Sequence, residues 1–451
     1  MIEISISNKI YLKNLPPLIA KHIKKTLTLS NPVFFKMKAM GKKAWGMRAE
    51  IKYYEVTDDI LLIPLGMKNR LINFLTENKQ QYKIIKDERI IKKLTFELPA
   101  FELRDYQKPI IDSIFSGKEP KDGILSMTTG SGKTAMAIEI TRRLGLNTTI
   151  LVPNTVLLKQ FADEYKKFTG YEVGVLSALK QEIKPITVST YQILKREALK
   201  RQLTAQTSVL IVEECQGAPS KERKKLIQEF SPRYLFGISG SLGREDGQAK
   251  AINFLIGDVI EEYIGNQMKP KIELWNTKEN IPFSINYHEM VDSQINNKSR
   301  NNLISAIIME EMLHNRKMLV LTKRIEHYKL LEQMMMPYKN MYFIDSQDPE
   351  RDKLLNGMKT GEIEYNIIFG TASLLAVGMD IPSLDTLIIA CDMKSSVLTT
   401  QSAGRIMRIF AGKEHPKIID LVDNKNYVFL KQSRERIKLY HEKGWEIKYI
   451  N

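Results

Sequence analysis

A chain of 451 residues, 43% hydrophobic and 27% charged, has the composition of a soluble globular protein with room for about three domains. Its 68 Lys and Arg against 52 Asp and Glu leave a formal charge of +16, which favours a polyanionic partner, nucleic acid before an anionic membrane. Two cysteines are too few for a disulfide framework, no Cys/His spacing forms a metal cage, and neither a long apolar run nor a signal-like start occurs, so a cytoplasmic protein off the membrane is expected.

The charge excess is concentrated at the start. Residues 1–100 carry 19 Lys/Arg and 9 Asp/Glu. Here 51–56 and 60–63 read as strands about the turn Thr57-Asp58-Asp59, and 67–76 reads as a helix entered after Pro64 and Gly66. Between Phe34 and Arg48, five cations (Lys36, Lys38, Lys42, Lys43 and Arg48) interleave with Phe34, Phe35 and Trp45, and no acid occurs. Cations neutralise phosphate and aromatic faces stack on bases, so this is a candidate nucleic-acid contact; a half-buried strand with solvated lysines fits the same pattern.

At Arg104-Asp105-Tyr106-Gln107 an amphipathic helix begins, with Gln107 able both to donate to and to accept from an adenine edge. An apolar strand over 122–127 then leads into Thr128-Thr129-Gly130-Ser131-Gly132-Lys133-Thr134 and a helix over 135–144. A strand, a glycine-rich turn and a helix N-terminus make a phosphate cradle. Its backbone N–H groups and Lys133 reach phosphate oxygens, and the Thr134 hydroxyl suits Mg²⁺. Met127 stands where the strict pattern has glycine.

Further strands follow in alternation with helices. Residues 149–152 end at Pro153-Asn154, 186–189 at Thr190-Tyr191-Gln192, 209–212 at Glu213-Glu214-Cys215-Gln216, and 234–238 at Ser239-Gly240-Ser241. Such βαβ units imply parallel sheets whose carboxyl ends gather the ligand-binding residues. Paired carboxylates at the end of a buried strand suit one group on Mg²⁺ and one on the attacking water. Residues 271–299 read as a polar crossover without clear periodicity, and 318–322 as the strand that opens a second lobe. No sequence-level repeat stands out.

The order of these motifs resembles the first motor lobe of superfamily 2 helicases, most nearly the UvsW-type phage branch-migration helicases and the related eukaryotic repair translocases. Downstream, Gly370-Thr371-Ala372 with Gly378-Met379-Asp380-Ile381-Pro382 resembles the family's fifth motif. Gln401-Ser402-Ala403-Gly404-Arg405-Ile406-Met407-Arg408 matches its sixth. The chain departs from the family at Glu213, where Asp is usual, and at Gln216, where His or Asp is more common.

The resemblance implies an α/β protein with two RecA-like parallel-sheet motor lobes (99–266 and 267–451) behind a small basic α/β (α+β) domain (1–98). It also implies the roles. ATP lies between the lobes, with Arg104, Gln107, Thr129, Gly130, Ser131, Gly132, Lys133, Thr134, Gly378 and Asp380 around it, and Thr134 and Glu213 on Mg²⁺. Glu214, Gln401, Arg405 and Arg408 act with Lys133 in hydrolysis, and Ser239 and Ser241 couple it to movement. Pro153, Asn154, Thr190, Tyr191, Thr322, Lys323 and Thr371 contact the nucleic-acid backbone. The expectation is a monomeric ATP-dependent helicase or translocase that remodels branched DNA. An RNA remodelling ATPase, or an ATP-gated DNA clamp disabled at Glu213, is the alternative.

Overall fold

The computed structural model describes residues 1–451 except 42, 129, 241–248, 266, 337, 345–347, 349, 372–380, 394, 395, 411 and 451, together with the side chains of 352, 396, 397 and 401. The chain forms two compact units, Met1–Ile264 and Gly265–Asn451.

The first unit contains two principal sheets. Alternating apolar residues bury one face of β1 (Ile2–Ile6) and β2 (Lys9–Lys13), as period-2 patterning requires. With β5 (Glu55–Thr57), β6 (Ile60–Pro64) and β7 (Tyr82–Asp87) they form a sheet in the order β5-β6-β2-β1-β7, antiparallel except where β7 joins β1. A separate antiparallel pair, β3 (Thr28–Ser30) and β4 (Glu50–Lys52), stands apart. The expected single strand over 51–56 is therefore divided. Tyr53 turns into the core, its N–H donating to the Leu27 carbonyl at 2.8 Å, and this separates β4 from β5. The helix Lys68–Glu77 follows a 3₁₀ turn at Leu65–Met67, close to the expected bounds.

This sheet does not have a core of its own. Ile4, Ile63 and Leu71 belong to one buried apolar cluster with Leu226, Ile252 and Phe254. At the seam Gly66 lies so close to Ile256 that a Cβ there would sit 2.6 Å from the Ile256 nitrogen.

The second sheet of this unit comprises β8 (Ile124–Met127), β9 (Thr148–Val152), β10 (Gly174–Leu176), β11 (Ile186–Thr190), β12 (Val209–Glu213), β13 (Tyr234–Ser239) and β14 (Val259–Tyr263). Its order is β10-β11-β9-β12-β13-β8-β14, all parallel. β9, β11 and β12 are buried along their whole length, as expected of parallel strands covered on both faces.

The second unit repeats this plan. Its strands are β15 (Lys271–Asn276), β16 (Met318–Thr322), β17 (Met341–Ile344), β18 (Ile367–Thr371), β19 (Thr386–Ile389), β20 (Lys417–Val422) and β21 (Glu446–Ile450), ordered β17-β18-β16-β19-β20-β15-β21 and all parallel. Two expectations are corrected here. The stretch read as a polar crossover without clear periodicity contains β15 and the helix Tyr287–Ile295, and the unit opens on β15 rather than on 318–322. The alternation Ile272, Leu274 was present, but it spans six residues in a polar neighbourhood, too short to register as a period. Among the described residues no helix is long and apolar enough to cross a membrane.

Candidate nucleotide site

The site grows from the carboxyl end of β8. Gly130 and Gly132 take positive φ (83° and 74°), and Gly132 hands over to the helix Lys133–Leu144. A side chain at Gly132 would be excluded twice, by the left-handed backbone and because its Cβ would lie 2.5 Å from Gln107 Nε2. The loop is held from below. Gln107 Nε2 donates to the Ser131 carbonyl at 2.9 Å while its Oε1 accepts from the Arg104 N–H at 3.0 Å. The Tyr106 hydroxyl donates to the same Ser131 carbonyl at 3.0 Å, and Arg104 Nη1 donates to the Gly130 carbonyl at 3.3 Å. Tyr106 also stacks on Tyr263, with centroids 4.2 Å apart. Gln107 is 2% exposed, so here it anchors the phosphate loop rather than offering its amide outward.

Across from the loop, β12 ends at Glu213. Its side chain is buried and Oε2 has no hydrogen-bond partner among the described residues. Burial pushes its carboxyl up to about 8, against the pull of the Lys133 ammonium and with a further push from Glu214. Glu214 adopts a left-handed backbone (φ 51°), unusual for a residue with a Cβ. Its Oε1 lies 3.9 Å from Lys133 Nζ. Gln216 Nε2 donates to Glu214 Oε2, and the Ser239 hydroxyl donates to Gln216 Oε1 at 2.6 Å. The departure at Gln216 thus makes a bridge. An amide can donate at one end and accept at the other, which joins the end of β13 to the carboxylate beside Lys133.

The remaining strand-end residues divide by exposure. Asn154 caps the helix Thr155–Thr169 by accepting from the Leu157 N–H at 2.9 Å, and it is half-buried beside Pro153. Thr190, Tyr191 and Thr322 are buried, Tyr191 beneath the Arg223 guanidinium at 4.8 Å, so their side chains do not offer the surface contacts expected of them. Thr371 is half-buried and Lys323 exposed. Lys323 Nζ lies 3.3 Å from Asp392 Oδ2, where burial raises the Asp392 carboxyl to about 7. Arg405 is buried on the helix Ser396–Ile406, and Arg408 lies two residues beyond its end, half-buried. Lys42, Thr129, Ser241, Gly378 and Asp380, and the side chain of Gln401, lie outside the described residues.

Two models of known families match the chain. Residues 100–244 match the type III restriction enzyme res subunit, and 299–410 match the helicase conserved C-terminal domain. The chain belongs to the superfamily 2 helicases. A probable helicase of Escherichia phage T5 is 25% identical over 98% of this chain and 95% of its own. A protein of Acanthamoeba polyphaga mimivirus, named for ATP-dependent RNA helicases, is 29% identical over 76% of this chain and 69% of its own. The ATP-dependent DNA helicase uvsW of Enterobacteria phage T4 is 21% identical over 77% of each. The fold is shared with yeast Dbp5 bound to RNA and ADP BeF3 (TM-score 0.55, 14% identity, 77% of this chain and 89% of that one).

Sequence reasoning singled out the glycine loop and the carboxylate pair that come together here, but missed Tyr263 and the bridging role of Gln216. Gln216 carried a signal in its departure from the family pattern. Tyr263 lies far along the chain from Tyr106 and carried none.

Proposed function

We propose that this protein is an ATP-driven helicase or translocase that remodels branched DNA. The reading rests chiefly on the connected set Lys133, Glu214, Gln216 and Ser239 beside a glycine loop and an unsatisfied buried Glu213. These residues fit a nucleoside triphosphate with Mg²⁺. Lys133 and the loop N–H groups would hold its phosphates, and Thr134 and Glu213 would hold the cation, which supplies charge neutralisation when bound. Glu213 is one methylene longer than the usual aspartate, and its buried oxygen without a partner is what a carboxylate awaiting a cation leaves behind.

Glu214 then orients the attacking water. Its strained backbone and two side-chain neighbours fix the carboxylate before nucleotide arrives. Gln216 carries any shift of that carboxylate to Ser239, the coupling link. Arg405 and Arg408 stabilise the charge that develops on the transferred phosphoryl group. The charge of +16 favours a nucleic acid, and the likeness to uvsW, whose name specifies DNA, favours DNA over RNA.

The test is ATP hydrolysis by the intact chain and by Lys133→Ala, alone and with single-stranded, duplex and four-way-junction DNA, and with RNA. Junction-stimulated turnover that the variant loses supports the reading. Stimulation by RNA alone replaces it with RNA remodelling, and absence of turnover replaces it with an ATP-gated clamp.

A further inference from the structure

Residues 32–48 depart from the rest of the first unit. The helix Pro32–Ala39 buries none of its side chains. Phe35, Met40, Trp45 and Met47 are all exposed, Trp45 by 83%. Among the described residues of this stretch no strand forms, and these four apolar side chains are left in solvent while Phe34 and Met37 are half-buried. Indole is highly buried on average, and an indole grouped with three other exposed apolar side chains makes a patch of the kind that marks interaction surfaces.

The base of this excursion is fixed. The Asn31 N–H donates to the Ala49 carbonyl at 2.8 Å, and Asn31 Nδ2 donates to the Arg48 carbonyl at 2.9 Å. Just below, β3 pairs with β4, and Tyr53 packs edge-on against Phe254 at 5.6 Å.

Charge identifies the occupant. From Pro32 to Ala49 the chain holds four lysines, one arginine and no acid, and Lys43 Nζ lies 5.9 Å over the Trp45 ring. A second copy of this surface would be repelled. A paired duplex offers phosphates but hides its base faces, whereas unpaired bases offer both phosphate and an open π-face. We propose that residues 32–48 form the strand-separating tip of the enzyme, with Trp45 stacking on an unpaired DNA base at the fork and the surrounding cations gripping the flanking phosphates. The inference rests on the DNA-motor reading above.

The experiment uses the full-length chain, Trp45→Ala, Trp45→Phe and Lys36→Gln/Lys38→Gln/Lys43→Gln. Trp275 and Trp445 are respectively half-buried and buried, so the most solvated emission belongs to Trp45. Single-stranded and forked DNA should quench that component, and blunt duplex should not. The strands separated per ATP hydrolysed should fall about tenfold in Trp45→Ala, in line with the loss of one base stack, and recover largely in Trp45→Phe. The triple glutamine variant should bind DNA with a shallower dependence on salt.

Wild-type separation per ATP in Trp45→Ala overturns the tip while leaving the motor intact. Quenching by anionic vesicles but not by forked DNA does the same. No DNA-stimulated hydrolysis in the wild type overturns the motor reading itself, and the tip with it.

Discussion

Strand for strand, the sheet of β8 to β14 and the sheet of β15 to β21 follow one order, and each has a buried carboxylate at or just beyond its central strand, Glu213 on β12 and Asp392 after β19. Their surroundings differ. In the first sheet a glycine loop follows the first strand and Lys133 stands near the carboxylate pair. In the second, Asn276 leads to Thr277 and Lys278 without a cradle, and the strand ends are filled by ion pairs internal to the unit. Arg300 Nε donates to Asp423 Oδ1 at 2.9 Å, with Gln294 and Thr277 on the same carboxylate. Arg436 clasps both oxygens of Asp420, tying the helix Tyr427–Glu442 to β20. Topology is thus duplicated while chemistry is assigned loop by loop.

The sharpest way to break this comparison is to remove one cation from each sheet's first-strand loop. Lys133→Ala should abolish measurable ATP turnover, whereas Lys278→Ala, at an exposed turn, should leave kcat within about twofold. Equal losses would mean that the second sheet also handles phosphate through its first loop. Arg405→Ala tests the role in hydrolysis proposed for the second unit. Steady-state kinetics should show kcat lower by about 10³- to 10⁵-fold, the usual worth of a transition-state arginine.

Stability should show the opposite asymmetry. Burial alone would raise the Asp423 carboxyl, but the Arg300 guanidinium overcomes it and holds the group below the usual range. Arg300→Ala leaves that charge buried without its partner and should cost about 3–5 kcal/mol, read by urea titration. Glu213→Gln in the first unit removes an unsatisfied acid and should leave the nucleotide-free protein at least as stable while impairing Mg²⁺-dependent turnover. A smaller effect is expected of Gln216→Ala, which breaks the bridge between Glu214 and Ser239. At about 1 kcal/mol per hydrogen bond, hydrolysis should fall only a few-fold, and strand separation per ATP should fall further if the bridge couples the two.

How much was legible in the sequence follows the same division. The parallel strands of the first sheet are continuous apolar runs punctuated by polar residues, so β9, β11, β12 and β13 could be placed within a residue or two. The glycine loop was legible because glycine, lysine and threonine each have a local backbone or charge reason to be there. β15 was not legible, since its partners β20 and β21 lie more than a hundred residues away and its own pattern is short. Nor could the sequence show that Phe35, Met40, Trp45 and Met47 stay exposed. Lysines alternating with aromatics satisfy a half-buried strand and an exposed tip equally, and only the absence of a covering surface decides between them. The shared core of Ile4, Leu71 and Phe254 was hidden for a related reason, because an apolar residue does not announce which apolar surface it will meet.

The pH dependence of the nucleotide-free protein compares the two carboxylates directly. Glu213 has a folded value of about 8 against an ordinary 4.5, so folding holds its proton more tightly than the unfolded chain does. The stability tied to that proton is present in full below about pH 4.5, wanes above it, and is lost as pH rises through about 8. Asp392, at about 7 against 3.8, should lose its share roughly one pH unit lower. Melting curves from about pH 6 to 9 should therefore fall less steeply in Glu213→Gln and in Asp392→Asn than in the wild type, by a few degrees across the range. Mg²⁺ with a nucleotide separates the two. A cation on Glu213 displaces its proton, so the wild type should lose that slope and run parallel to Glu213→Gln across this range. Asp392 already faces Lys323, so the slope it contributes should persist with or without the cation. Loss of both slopes on adding Mg²⁺ and nucleotide would place a cation-responsive carboxylate in each sheet and end the asymmetry drawn between them.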